Sequence, residues 1–526
     1  MAPEPCTVAR RGDSRRSRAP LGCWLAALLT AVACLLPSGP AQAGGAEHRA
    51  LLRGAWLVDG EGLVGSVEPG SRAGGSADLD LLEAIGRRVH LGFSLQRMEP
   101  DDVAAAFASG SLDFALPVQS HERVAQGGRL SRPFGVRTDV LLCFPDSPAL
   151  AGEGAAALRD ATGRGWRIAV AAGRSHGPEL DAILAETDGR GLIRWAGNDL
   201  ELVEALLAGE AQCLLAPRLA LMTALSQQPQ AETFVGHQRR AMSELSTHIL
   251  YNTAAVDAAT IEAIDRTLLA LQEDGTAAEL RRRAARPTLL GFAVATAWFS
   301  WFDIIGTIAF ALSGVLIARS EGYSLLGAFV LASLPAVGGG VLRDLLVGRE
   351  PIGIVASPLP LTLVLATVLA AYVLYALHDR LDAPLRRLAA GRFGSVRLPR
   401  ALRFENLLEL TDAIGLAAFT VLGVVVAVRV GAEPLWLWGP LCAMLSGAGG
   451  GILRDILRVG YNNPALRTSF YAEVCLCWGL LLSLAVLHLL TEGDVLLLRV
   501  SIGVAVLGAF ATRLLVVIYN VRSPRF

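Results

Sequence analysis

Two short stretches of the chain repeat the same unusual arrangement of residues. Residues 337–346 read VGGGVLRDLL and residues 448–457 read AGGGILRDIL, with seven of ten positions identical. Three glycines weaken a helix, and an arginine beside an aspartate is unfavourable to bury in an apolar segment. The duplication indicates that both copies perform one shared task.

A membrane helix with such a motif can bend or pack closely at its glycines, while its arginine must reach water, lipid headgroups or a carboxylate. We predict that the two motifs break symmetry-related helices around one pathway. The alternative is tight glycine packing, with arginines that snorkel at helix ends. The candidate pathway residues are Gly338, Gly339, Gly340, Arg343, Asp344, Gly449, Gly450, Gly451, Arg454, Asp455, Asp303 and Asp412.

The similarity extends upstream of the glycines. Residues 302–318 (FDIIGTIAFALSGVLIA) and 411–427 (TDAIGLAAFTVLGVVVA) agree at eight of seventeen positions. One repeat contains three apolar segments, so the second copy is expected to enter the membrane from the opposite side. Asp303 and Asp412 lie near the starts of their helices, where helix capping is the alternative to cation or proton coupling.

Apolar segments long enough to span about 30 Å of hydrocarbon recur after residue 297. They predict an all-α membrane domain over 298–519, with inverted repeats at about 298–377 and 411–490 plus one further helix. The stretch 378–406 carries seven arginines against three acids, which places it and the tail 520–526 in the cytoplasm. The seven predicted helices are 298–318, 324–346, 354–377, 411–429, 435–457, 469–490 and 495–519.

The paired Gly-Gly-Gly-x-Leu-Arg-Asp segments, the paired Asp-x-Ile-Gly starts and this layout resemble a bacterial membrane family. That family is related to the trimeric intracellular cation channels and includes proteins described as glycine transporters. The resemblance implies a seven-helix bundle, with glycine-kinked second and fifth helices that line a pathway in each subunit of a homotrimer.

The N-terminus is typical of an export signal over residues 1–43. Five arginines between residues 10 and 18 precede the apolar run LGCWLAALLTAVACLL, and Ala41-Gln42-Ala43 offers small residues for cleavage. An uncleaved anchor helix and a lipoprotein signal that uses Cys34 are the alternatives. The mature chain is therefore expected to begin outside the cytoplasm of a bacterial cell, at its inner (plasma) membrane.

Residues 44–286 alternate short apolar runs with amphipathic stretches, which favours an α/β domain with parallel strands. The order of SADLDLLEAIGRRV, DDVAAAFASGSLDFALPVQSHERVAQGGRLSRPF, GWRIAVAAGRS and LVEALLAGEAQCLLAPRLAL resembles extracellular solute-binding proteins of the polar amino acid type. The resemblance implies two α/β lobes joined by a hinge that close on a small ligand. A linker over 287–297 would then lead to the membrane domain.

Within that family an arginine of a Thr-Pro-Glu-Arg-like segment grips the ligand carboxylate, and SHER places Arg123 at this position. Ser175 falls where the family uses a threonine hydroxyl, and Trp56 is a weak candidate for the aromatic that covers the ligand. Pro217 stands where the family has the aspartate that receives the ligand's amino group. A carboxylate-bearing small molecule is therefore the expected ligand.

Other residue patterns limit the remaining function classes. The formal net charge of -1 gives no reason to expect nucleic acid, and the eight histidines lack metal-ligand spacing. Phosphate-binding loops, nucleophile elbows and paired-histidine motifs do not occur in the sequence, so we predict no enzyme, no cofactor and no metal. Cys143 and Cys213 could form a disulfide, although their spacing does not indicate one.

Together these patterns predict a transporter or channel for a small solute or cation, with glycine among the candidates. Its fused extracytoplasmic domain would capture a ligand or gate the pathway. The alternative is a ligand-sensing membrane receptor without transport.

Overall fold

The computed structural model describes residues 51–57, 77–98, 102–119, 128–228, 230, 234, 240–389, 404–458, 470–492 and 495–521. Residues from Arg49 onward form one compact unit that holds an α/β half and a helical half. The predicted signal peptide and Arg123 lie outside the described residues.

Nine strands in the described part of the α/β half join one sheet in the order β2-β1-β3-β9-β5-β8-β6-β7, with β4 paired to β9. The strands are β1 Leu51–Leu57, β2 Gly92–Met98, β3 Phe114–Gln119, β4 Gly128–Leu130, β5 Gly135–Cys143, β6 Ile168–Ala171, β7 Ile193–Ala196, β8 Cys213–Pro217 and β9 Arg240–Asn252. The accompanying helices are α1 Ala77–Val89, α2 Val103–Ala108, α3 Ala155–Gly163, α4 Pro178–Asp188, α5 Asp199–Leu207, α6 Arg218–Ser226, α7 Ala258–Glu273 and α8 Thr276–Val294.

The sheet divides into two parallel groups. Strand β1 pairs in parallel with β2 and β3, and β6 pairs in parallel with β7 and β8, while β5 and β9 run antiparallel to their neighbours and connect the groups. We call β1 to β4 with α1, α2 and α7 lobe 1, and β6 to β8 with α3 to α6 lobe 2. The α/β prediction with parallel strands is confirmed.

A disulfide joins Cys143 at the end of β5 to Cys213 at the start of β8. The two residues are direct partners in the β5–β8 register, and Cys213 is fully buried. The sequence left this pairing open because the two cysteines are 70 residues apart. Sheet pairing brings them together.

The helical half begins at Ala297. Each of the seven predicted segments is helical, and six helices in the described residues are long and apolar enough to cross a membrane. The segment from Leu435 to Leu457 is not among these six, because its tryptophans, glycines and proline lower its hydropathy. The helices are α9 Ala297–Glu321, α10 Leu325–Ser333, α11 Gly339–Val347, α12 Gly353–Ala356, α13 Leu359–Ala389, α14 Phe404–Arg429, α15 Leu435–Met444, α16 Gly450–Leu457, α17 Ala472–Glu492 and α18 Val495–Ile518.

The region between the two halves is helical, which differs from the predicted linker over 287–297. Helix α8 continues through Pro287 to Val294. A proline inside a helix removes one backbone hydrogen bond. Here Leu289, Leu290 and Phe292 are buried just beyond it, and their packing offsets that loss.

The two repeats pack against each other through matching positions. On α9, a Cβ at Gly306 would lie 3.7 Å from the ring of Phe419 on α14, and one at Gly415 would lie 2.3 Å from the ring of Phe310. The rings of Phe310 and Phe419 stack with centroids 5.4 Å apart. Gly306 corresponds to Gly415 in the repeat alignment, and Phe310 to Phe419, so the contacts are reciprocal.

Candidate functional site

A five-residue π-helical turn lies directly before each duplicated glycine run. These turns are Leu334–Gly338, between α10 and α11, and Leu445–Gly449, between α15 and α16. A π turn has i→i+5 backbone hydrogen bonds in place of the i→i+4 bonds of an α-helix, and such turns often mark functional positions. Each predicted break therefore coincides with a π turn inside a helix that continues on both sides, and Gly338 and Gly449 keep ordinary right-handed helical backbone angles. We call α10 with α11 the first broken helix and α15 with α16 the second broken helix.

The two broken helices cross where their glycines meet. A Cβ at Gly339 would lie 2.5 Å from the carbonyl oxygen of Leu445, and a Cβ at Gly450 would lie 2.5 Å from that of Leu334. Real Cβ atoms do not approach backbone so closely, so only glycine permits this crossing. By contrast, a Cβ at Gly340 would meet nothing nearer than 3.6 Å, and one at Gly449 nothing nearer than 3.9 Å.

Arg343 in the first motif is buried with 7% of its surface exposed. Its Nη2 and Nε donate to Oδ1 of Asp344 at 2.7 and 2.9 Å. Its Nη1 donates to the hydroxyl of Ser446, in the second π turn, at 3.0 Å. Asp344 also accepts from the backbone N–H of Gly353 and lies near Arg349. The charge is thus neutralised inside the bundle.

Arg454 in the second motif is buried to a similar degree but has more partners. Its Nε donates to Asp455 at 3.0 Å, and its Nη1 lies 3.4 Å from Oδ1 of Asp412. The same Nη1 donates to the hydroxyl of Ser313 on α9. Nη1 of Arg458 lies 3.5 Å from the same oxygen of Asp455. Neither arginine snorkels to a helix end, because both donate to buried groups.

The paired aspartates at the helix starts are not equivalent. Asp412 is buried and forms the ion pair with Arg454. Asp303 is half-buried, and within the part of the chain that the structure describes its carboxylate forms no hydrogen bond or ion pair. Its electrostatic neighbour is Arg343. Of the two carboxylates, only Asp412 pairs directly with a described cation.

Sequence reasoning missed several residues of this buried polar cluster. The hydroxyl of Tyr471 lies 2.6 Å from where a Cβ on Gly451 would stand. Arg513 stacks over the Tyr471 ring at 4.8 Å and donates to Glu409 at 2.9 Å. Ser313 and Ser446 were also missed. An arginine inside the apolar run of α18 is the one sequence signal that points to this cluster.

In the α/β half, Ser175 follows β6 and lies at the N-terminus of α4. Its hydroxyl donates to Asp181, and the backbone N–H of His176 donates to the other Asp181 oxygen at 2.8 Å. The N–H of Gly177 donates to the Ser175 hydroxyl at 3.3 Å. The donors that would face a ligand carboxylate here are therefore engaged by a carboxylate of the chain itself.

A fully buried pair formed by Asp139 and His176 lies beside Ser175. Nδ1 of His176 donates to Asp139 at 2.6 Å, and Arg137 donates to both Asp139 oxygens at 3.0 and 3.1 Å. Burial alone would raise the pKa of Asp139, but the hydrogen bond from His176 and the charge of Arg137 hold it below its usual range. The pair fastens the crossing strand β5 to the start of α4.

The other predicted cleft residues are spread over the sheet edge. Trp56 is half-buried near the carboxyl end of β1, the edge where open α/β sheets bind ligands. Pro217 ends β8 directly opposite Asp139 on β5. Among the described residues, histidines, cysteines and acids form no group of three able to hold a metal ion.

Comparisons with known proteins match the helical half. A family model described as glycine transporter covers residues 300–376 and 409–486. A UPF0126 membrane protein of Deinococcus radiodurans is 39% identical over 157 residues, which are 30% of this chain and 61% of that protein. The UPF0126 inner membrane protein YadS of Escherichia coli K12 is 35% identical over 182 residues, or 34% of this chain and 75% of that protein.

Solved structures resemble each half separately. A TRIC cation channel structure covers 43% of this chain and 97% of that chain, at 29% identity and a TM-score of 0.34. An ancestral arginine-binding protein bound to glutamine covers 45% of this chain and 97% of that chain, at 14% identity and a TM-score of 0.32.

Proposed function

The chain belongs to the UPF0126 family of membrane proteins, and from this premise we propose that it moves a small solute or cation across the membrane, with glycine among the candidates. The observation that carries the proposal is the crossing of two π-broken helices, each followed by a buried Arg-Asp pair. Ionisable residues inside a membrane bundle usually mark substrate or ion pathways. We assign the duplicated glycines, Arg343, Arg454, Asp303 and Asp412 to this pathway.

The α/β half then captures a ligand or gates the pathway. Arg123 would grip a carboxylate, because a guanidinium donates two parallel hydrogen bonds to it. Ser175 is held by Asp181, so Arg123 and Trp56 carry most of the expected recognition. Fusion keeps the domain at a high effective concentration beside the membrane half, which favours either kind of coupling.

We further propose seven membrane helices in an inverted three-plus-three repeat, a homotrimer, and a bacterial inner membrane location with residues 44–286 outside and the C-terminus in the cytoplasm. The reciprocal contacts Gly306–Phe419 and Gly415–Phe310 support a two-fold relation between the repeats. The disulfide Cys143–Cys213 supports an oxidising, extracytoplasmic location of the α/β half.

A flux assay on the purified chain in liposomes tests the central proposal. The panel contains glycine, other amino acids, small carboxylates, K⁺ and Na⁺, with protein-free liposomes as the control. We expect selective flux of at least one solute. Absence of flux for every solute would contradict transport and favour a ligand-sensing receptor.

Two measurements test the finer proposals. Single cysteines at positions 391 and 493 should be labelled from opposite sides of the membrane, and labelling from the same side would reject the inverted repeat. In calorimetry with any ligand found in the panel, Arg123→Ala should weaken binding by about 2–5 kcal/mol, because the carboxylate loses its donor. Unchanged affinity would remove Arg123 from the site.

A further inference from the structure

Helix α8 contacts both lobes and the helical half. Ala277 and Leu280 in its first turns pack into the core of lobe 1. Leu289 near its end belongs to the same apolar cluster as Leu221 of lobe 2 and Leu435 of α15. A change in the angle between the lobes therefore acts on this helix from both ends.

The start of α8 is also fastened to the strands that cross between the lobes. We call these strands, β5 and β9, the hinge. Nη2 of Arg281 donates to the carbonyl oxygen of Phe134 at 2.9 Å, and Phe134 directly precedes the crossing strand β5. At the other end, Arg499 of α18 donates to the carbonyl oxygens of Ala293 and Phe292 at 3.0 and 3.4 Å. These carbonyls end the helix and would otherwise lack intrahelical donors.

Glu433 connects α8 to the second broken helix. Its Oε1 accepts from Arg286 at 2.8 Å and from Arg283 at 3.1 Å. Its Oε2 accepts from the backbone N–H of Leu435, the first residue of α15, at 3.3 Å. One carboxylate thus holds the arginines of α8 with one oxygen and the start of α15 with the other. Helix α15 leads directly into the π turn and Gly450.

The first repeat lacks such a connection. At the matching position Ser324 caps α10, and its hydroxyl accepts from the N–H of Gly327 on the same helix at 3.2 Å. The α/β half is therefore tied by charge to the start of one broken helix and not, among the described contacts, to the start of the other.

We propose that Glu433 is the residue through which movement at the hinge reaches the second broken helix, with α8 as the connecting element. The inference rests on the proposed function, because it assigns one of the two crossing helices to control by the binding half. Helix α15 with its π turn is the controlled element, and α10 with its own serine cap is the fixed one.

Hydrogen–deuterium exchange on the full-length protein in lipid nanodiscs tests this without a ligand. Arg281→Gln loosens α8 from the hinge and should speed exchange of the backbone amides of residues 435–449 by about fivefold or more, since local opening becomes easier. The same substitution in a Glu433→Gln background should add no further change there. Arg266→Gln is the control, because Arg266 is exposed and donates to the carbonyl oxygen of Glu262 on its own helix α7.

Unchanged exchange at 435–449 in Arg281→Gln, or equal acceleration with and without Glu433, would overturn the inference. Faster exchange in Arg266→Gln would overturn it as well, because the effect would then not pass through the hinge contact. Flux measured after the same proteins are reconstituted into liposomes separates the two proposals. If the protein shows flux but Arg281→Gln does not speed exchange at residues 435–449, only the role of Glu433 is rejected. If the unmodified protein shows no flux, transport itself is rejected.

Discussion

Arg343 and Arg454 occupy the same position in two copies of one motif, yet they are neutralised differently. Arg343 donates to Asp344 and Ser446, while Arg454 contacts Asp455, Asp412 and Ser313. The backbones of the copies match closely, because both are limited by the same glycine crossing. The side chains have diverged where a buried charge needs a partner.

This difference divides the roles of the two copies within the proposed pathway. In the second copy the carboxylate of Asp412 on α14 pairs with Arg454, so this ion pair fixes the position of Asp412. In the first copy Asp303 stays half-buried and outside the hydrogen bonds of Arg343. The side chains of the second copy are therefore held more rigidly. This is also the copy in which the start of α15 is linked to the α/β half through Glu433.

The largest effect is expected where the copies are alike. Gly339→Ala and Gly450→Ala each place a Cβ 2.5 Å from a backbone oxygen, so each should destabilise the protein by about 3 kcal/mol or more through overpacking. Thermal unfolding and the fraction of assembled oligomer in detergent measure this.

Gly340→Ala and Gly449→Ala are matched controls because their Cβ atoms would make only ordinary van der Waals contacts, at 3.6 Å and beyond. Both should be neutral or slightly stabilising, by up to about 1 kcal/mol, since alanine favours a helix over glycine. Equal losses in all four variants would show that the crossing is not the reason for the glycines. Normal assembly of Gly339→Ala and Gly450→Ala would show the same.

The next effect separates the copies. Arg454→Gln leaves Asp412 and Asp455 buried without their main cation, which should cost about 3–5 kcal/mol. Arg343→Gln leaves only Asp344, which keeps the N–H of Gly353 and the approach of Arg349, so a smaller cost is expected. Unfolding midpoints of the two variants give the comparison. A larger loss in Arg343→Gln would reverse our ranking.

The sequence predicted the duplicated motif, the matching helices and the position of both breaks, because glycine runs and buried charges are local signals. It did not predict the π turns, since LPAVG and LSGAG share no turn-specific residue. Nor did it identify Ser446 and Ser313, which lie 103 and 141 residues from their arginines. Serines are common in apolar helices, and only the packing shows which of them faces a cation.

The α/β half shows the same limit. Alternating apolar runs predicted its strands and helices, yet Asp181 was not expected to take the donors beside Ser175. The contacts of Glu433 were also hidden, because the sequence around Pro287 indicated a linker rather than a helix that continues to Val294. In both cases the missing information is a tertiary contact between segments far apart in the chain.

A third comparison concerns the two aspartates. Asp412→Asn should destabilise the protein by about 1–3 kcal/mol, because Arg454 loses one of its carboxylates while buried. Asp303→Asn should leave stability nearly unchanged and instead alter ion selectivity or the pH dependence of flux. Liposome flux and thermal unfolding on the same samples distinguish the two outcomes. If Asp412→Asn changes only flux and Asp303→Asn only stability, the proposed roles are exchanged.

The smallest effect concerns the serines, and here the order of the copies should reverse. Ser446→Ala removes the only described partner of Arg343 other than Asp344, whereas Ser313→Ala leaves Arg454 with both Asp455 and Asp412. We therefore expect a loss of about 1.5–3 kcal/mol for Ser446→Ala and about 1 kcal/mol for Ser313→Ala. Threonine at either position keeps the hydroxyl and is the conservative control.

A double-mutant cycle decides whether this loss belongs to the arginine. Ser446 also donates to the carbonyl oxygen of Cys442 at 2.7 Å, so part of the cost could come from the helix itself. In an Arg343→Gln background Ser446→Ala should then cost clearly less than in the unmodified protein, because the shared interaction is already gone. An equal cost in both backgrounds would assign the serine to the π turn rather than to Arg343, and the two copies would differ less than their hydrogen bonds indicate.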